Sequence, residues 1–143
     1  ERPVLFLSSY FKKHQKIYYQ RLQGYHYGEV EAWLDFFLDG VIETANDAIL
    51  ISKQITKLRE DDMAKIQALA KRESESGILV LRKLYAQPIV STRNIMEWTK
   101  FSRNGSQKVI DRFMNLGILE LKDEEETYDR TYIYSKYVSI FMK

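Results

Sequence analysis

Between about Ile42 and Lys71 the chain contains neither Pro nor Gly. Ile42, Ala45, Ile49, Ser52, Ile55, Leu58, Ile66 and Leu69 recur along that stretch with a helical period, which predicts one long helix. About thirty residues of helix span roughly 45 Å, enough to carry the chain from one domain to another. Pro occurs only at Pro3 and Pro88, and Gly six times. With so few breakers, the expected fold class is mainly α.

The region before the long helix reads as helical too. Ser8 and Ser9 can cap a helix starting near Tyr10, with Phe11, Ile17, Tyr18 and Leu22 on its apolar side. The stretch from Gly24 to Gly28 is expected to break it. A second helix should start near Glu29, its acids Glu29 and Glu31 favoured by the dipole of the first turn. Trp33, Leu34, Phe37, Leu38 and Val41 give that helix its apolar face. After the long helix comes a polar run, Arg72 to Ser76, ending in Gly77. It reads as a linker or, through Gly77, a helix cap, and divides the chain into residues 1–73 and 74–143.

The second half has a recognisable order. A short helix over 78–85 is stopped by Pro88, and Ile89-Val90 is a short extended piece. Ser91 or Thr92 caps a helix holding Ile95, Met96 and Trp98. A turn over 101–105 leads to a helix at 104–116, with Val109, Ile110, Phe113 and Met114 inward and Gly117 placed as its C-terminal cap. Ile118 to Lys122 and Tyr128 to Tyr134 read as two strands around an acidic tip, Asp123 to Glu126. Helix, strand, helix, turn, helix and wing define a winged helix-turn-helix domain with a small two- or three-stranded wing sheet.

In such a domain the third helix enters the DNA major groove. Arg103, Asn104, Gln107, Lys108 and Arg112 are expected to point outward there, with Arg130 of the wing close enough to help. Residues 82–112 hold seven basic residues against two acidic ones, Glu97 and Asp111, which supplies attraction for phosphate. The acidic tip opposes it. Winged helices also serve as protein-binding modules, so a target protein or a second copy of the chain is an alternative partner.

Several chemistries are excluded. The chain has no Cys, hence no disulfide, thiolate metal site or cysteine nucleophile. Its two His residues show no H-x-x-x-H spacing, so no metal ligand is assigned. A net charge of +2 rules out a histone-like polycation. No apolar run is long enough for a membrane span and no signal peptide is present, so the expected location is cytoplasmic, without a membrane partner. The start at Glu1-Arg2-Pro3, without Met, points to a piece of something longer. His14, beside lysines, reads as a surface residue, and Asp61-Asp62 as a solvated pair. Tyr18-Tyr19 and Trp33-Phe36-Phe37 read as core.

Three blocks carry a family resemblance. Pro3-Val4-Leu5-Phe6-Leu7-Ser8-Ser9-Tyr10-Phe11, then Tyr18-Tyr19, then Trp33-Leu34-Asp35-Phe36-Phe37-Leu38-Asp39-Gly40-Val41, resemble the segment that follows the catalytic loop in Fic proteins (filamentation induced by cAMP, the Fic/DOC fold). In many members a long helix and a C-terminal winged helix come next. The resemblance implies a helical segment from the end of a Fic fold, a long connecting helix and the winged domain. It also implies a parent protein that transfers AMP from ATP to a protein hydroxyl with Mg²⁺, using a motif H-P-F-x-x-G-N-G-R.

That motif is absent. His14 is followed by Gln15, His26 by Tyr27, and no Gly-Asn-Gly occurs. The family places it upstream of Pro3. The inhibitory motif S/T-x-x-x-E-G/N is missing as well; Thr56 with Glu60-Asp61 comes nearest but ends in Asp. No catalytic residue and no cofactor is therefore assigned to this chain. The leading expectation is the non-catalytic C-terminal region of a Fic-type AMP-transferase whose winged helix recognises DNA or protein. The alternatives are a stand-alone winged-helix transcription regulator with a helical dimerisation region, and a structural dimer module built on helix 42–71.

Overall fold

The computed structural model describes residues 7–123 and 130–142. The chain forms two compact units, Glu1–Lys53 and Gln54–Lys143. Their division falls inside the long helix, well before the expected boundary at 73/74.

The first unit holds α1 (Leu7–Lys13), α2 (Gln15–His26) and the first part of α3 (Val30–Gln67). The single helix expected from Tyr10 is split at His14, which leaves helical geometry at φ −108° and ψ 34°. Helical bonding nevertheless continues: the His14 N–H donates to the Tyr10 carbonyl, and the His14 carbonyl accepts from Tyr18, both at 2.9 Å. Gly24 lies within α2 instead of breaking it. The break comes at Gly28, whose φ of +96° is open to glycine and costly for other residues.

The two helices expected at 29–41 and 42–71 are one. Gly40 does not interrupt α3, because its role is steric: a Cβ there would come within 2.7 Å of the Tyr10 ring. The aromatic residues of the three blocks pack together, with ring centroids 5.9 Å apart for Phe11 and Phe36 and 5.8 Å for Tyr18 and Trp33. Phe36 is buried, whereas Tyr19, expected in the core, is 58% exposed.

The second unit comprises the end of α3, α4 (Lys71–Leu84), β1 (Ile89–Ser91), α5 (Thr92–Thr99), α6 (Arg103–Asn115), β2 (Glu120–Leu121), β3 (Thr131–Ile133) and α7 (Ser135–Ser139). The strands form an antiparallel sheet in the order β1-β3-β2, with Tyr132 paired to both Val90 and Leu121. The protein is mainly helical with a small three-stranded wing sheet, and this element order is that of a winged helix-turn-helix. Ser91 caps α5, its backbone N–H donating to Asn94 Oδ1 at 2.8 Å. Gly117, at φ +65°, ends α6. Ile118 N–H reaches back to the Phe113 carbonyl and Gly117 N–H to that of Met114, both at 2.9 Å, the paired bonds of a Schellman cap. This cap turns Ile118 and Leu119 together into the core, so the strand expected from Ile118 begins only at Glu120.

The linker expected at 72–77 is helix. Arg72 to Ser76 form the first turns of α4, and the chain instead turns between Ala68 and Ala70. Gly77 is buried: a Cβ on it would stand 2.8 Å from Ile66 and 3.8 Å from Phe113. Glycine lets α4 lie close against the end of α3. That end belongs to the core of the winged domain, where Ile66 is fully buried among Val80, Leu81, Leu84, Ile110 and Phe113.

Asp62 is also fully buried, contrary to its reading as solvated, while Asp61 is exposed. The Tyr134 hydroxyl donates to Asp62 Oδ2 at 2.5 Å, and Lys65 Nζ lies 2.5 Å from Oδ1. Burial first, then the hydrogen bond to Asp62, raises the Tyr134 hydroxyl well above the ordinary tyrosine range. An acid held neutral in the folded state contributes full stability below its unfolded pKa of about 10 and loses it above, by up to roughly 1.4 kcal/mol per pH unit. Tyr134→Phe should therefore flatten the alkaline fall in stability, measured by urea unfolding between about pH 9 and about pH 11.

Candidate recognition surface

Helix α6 is positioned by Ser102, whose hydroxyl accepts from the Gly105 N–H at 3.2 Å, and by the Gly117 cap at its other end. Ser106, Val109, Ile110 and Phe113 bury one side. The opposite side presents Asn104, Lys108, Asp111 and Asn115, all exposed. The six residues expected to meet DNA do not share one environment.

Arg103, Asn104 and Lys108 are exposed, and no described residue pairs with them. Gln107 is not free to read a base edge. Its Oε1 accepts from Thr92 Oγ1 at 3.0 Å, and its Nε2 lies 2.9 Å from Asp111 Oδ1 and 3.2 Å from the Tyr132 hydroxyl. These bonds tie α6 to α5 and to the sheet. Arg112 is turned towards α4, where it forms an ion pair with Glu73. Both were expected to point outward; packing against α4, α5 and β3 turns them in. Arg130 is exposed just before β3 and engages a neighbour of its own. Of the acidic tip, Asp123 is exposed, and Glu124 to Glu126 lie outside the described residues.

The outward face is thus nearly balanced in charge, Lys108 against Asp111, with Arg103 at its N-terminal edge. The basic excess counted along residues 82–112 does not gather there. Helical position fixes which residues share a face, but not which of them a neighbouring element claims.

His14 is half-buried rather than on the surface, with its ring 4.5 Å from that of Tyr10. Among the described residues no three His, Asp or Glu side chains converge as a metal site requires. No helix of the described residues is long and apolar enough to cross a membrane. No family model matches the chain, and no curated protein matches it significantly.

Proposed function

We propose that this chain is the C-terminal region of a Fic-type protein AMP-transferase, non-catalytic by itself, and that its winged helix is a recognition module for DNA or for a protein. The observation that carries the module is α6: a capped helix on a winged scaffold with one whole polar face left uncovered. The Fic reading is supported by the three sequence blocks, whose aromatic residues pack on one another within the first unit. ATP and Mg²⁺ belong to the parent protein, and cytoplasm is the proposed location.

Incubation with labelled ATP, Mg²⁺ and cell lysate tests the enzymatic half. The chain alone should label no protein, and the longer reading frame carrying H-P-F-x-x-G-N-G-R should. Duplex DNA titrated at two salt concentrations tests the other half. If α6 carries DNA binding, Lys108→Ala should lower the salt slope by about one unit, the loss of one phosphate contact. Arg112→Ala should leave the slope nearly unchanged, because Glu73 already neutralises that guanidinium. Equal slope losses for both variants would show that Arg112 leaves Glu73 to meet phosphate.

A further inference from the structure

Beside Lys108, on the flank of α6, further basic residues gather. An open groove of about 510 Å³ runs between the first turns of α4, the α5–α6 turn and α6. Arg72, Lys100, Lys108 and Arg112 line it, and Glu73 is the one carboxylate among the lining residues. Glu73 is taken by Arg112. No described carboxylate pairs with Arg72, Lys100 or Lys108. The floor is different in kind. Val109 is buried beneath it, Gly105 contributes no side chain, and Phe101 stands 42% exposed beside the lysines.

We propose that this groove binds an acidic peptide segment of a partner protein, with carboxylates on the cationic rim and one apolar side chain against Phe101 and Val109. The inference rests on the second unit being a recognition module, and not on the Fic reading. Three observations favour a peptide over a nucleic acid. A duplex takes a protruding helix into its groove, whereas this site is concave and accepts something that protrudes. Its apolar floor offers a phosphate backbone nothing, but an apolar side chain between two carboxylates would use floor and rim together. On the convex side, Asp111 stands at the middle of the exposed face of α6, where phosphates would meet like charge.

The test uses the full chain, labelled with ¹⁵N, and the peptide acetyl-Asp-Glu-Phe-Glu-Asp-amide followed by heteronuclear NMR at low salt. Shifts should concentrate at the amides of Ser76, Phe101, Gly105 and Val109. Replacing Phe by Ala in the peptide should weaken binding several-fold. The double variant Lys100→Gln, Lys108→Gln should weaken it by about tenfold or more, with its thermal transition unchanged. Binding that ignores the double variant, or shifts gathered elsewhere, overturns the proposal. A duplex of about one helical turn, titrated in parallel, separates the two readings. If the duplex moves the groove amides and the peptide does not, the groove is a nucleic-acid surface, and the module survives while the peptide does not. If neither moves any amide, both readings fall.

Discussion

A chain cut to residues 54–143 should unfold in one cooperative thermal transition, and one cut to residues 74–143 should show none. The shorter fragment keeps most of a winged helix but loses the end of α3 and the first three residues of α4, Glu73 among them. That removes Ile66, fully buried in the core, and the half-buried Leu58, Met63 and Leu69 packed against it. Deleting a buried Ile costs about 2–5 kcal/mol, and half-buried apolar side chains about 1 kcal/mol each. It also removes Asp62, leaving the Tyr134 hydroxyl without its partner, at about 1–3 kcal/mol. The sum exceeds the roughly 3–5 kcal/mol that a core of this size supplies. Circular dichroism melts of the two fragments decide it. A cooperative melt of 74–143 would mean that the end of α3 is an ornament on a self-sufficient fold.

The second large effect should come from the buried pair itself. Tyr134→Phe should cost about 2–3 kcal/mol, since it takes a donor from a buried carboxylate, and Asp62→Ala about 3 kcal/mol. Because the two groups share one bond, the double variant Asp62→Ala, Tyr134→Phe should fall short of the sum by about 2 kcal/mol. Asp62→Leu combined with Tyr134→Phe replaces the pair by apolar groups and should recover much of the loss. Urea unfolding of these variants measures each value. Strict additivity would mean that Asp62 and Tyr134 stabilise the fold independently of their bond.

The Asp62–Tyr134 pair has surroundings that fit a structural role. The Arg59 guanidinium lies 4.6 Å from the centre of the Tyr85 ring, and Tyr137 stacks on Tyr134 at 5.5 Å. The Tyr137 hydroxyl donates to the Tyr85 carbonyl at 3.3 Å. These contacts bring α3 and α7 onto one tyrosine cluster with Tyr85, which follows α4, and Tyr134, which joins β3 to α7. The end of α3 is thereby fixed to the winged domain by a polar bond as well as by apolar packing.

The burial of Asp62 has a signal in the sequence. This residue stands four residues after Leu58 and four before Ile66, on the same stripe as both. A carboxylate in the middle of an apolar stripe signals a buried polar group with a partner elsewhere in the fold. Asp61 points about 100° away from Asp62 on a helix and does not share that stripe.

What the sequence determined by itself was local. Ser91 and Asn94 start α5, Gly117 ends α6, and the β-rich run before Tyr134 returns in β3, because caps and strand preferences depend on neighbours along the chain. The order of the winged helix followed from these signals. Tertiary structure alone decided that Gly77 is a contact and not a cap, that the core of the winged domain reaches back into α3, and that Gln107 and Arg112 are spent inside the fold. A helical period assigns a residue to a face, and the partner across that face comes from residues distant in sequence. Ile66 meets Gly77, Glu73 holds Arg112, and Asp62 finds Tyr134 only when the elements pack, so burial and free charge at these positions are properties of the assembled unit.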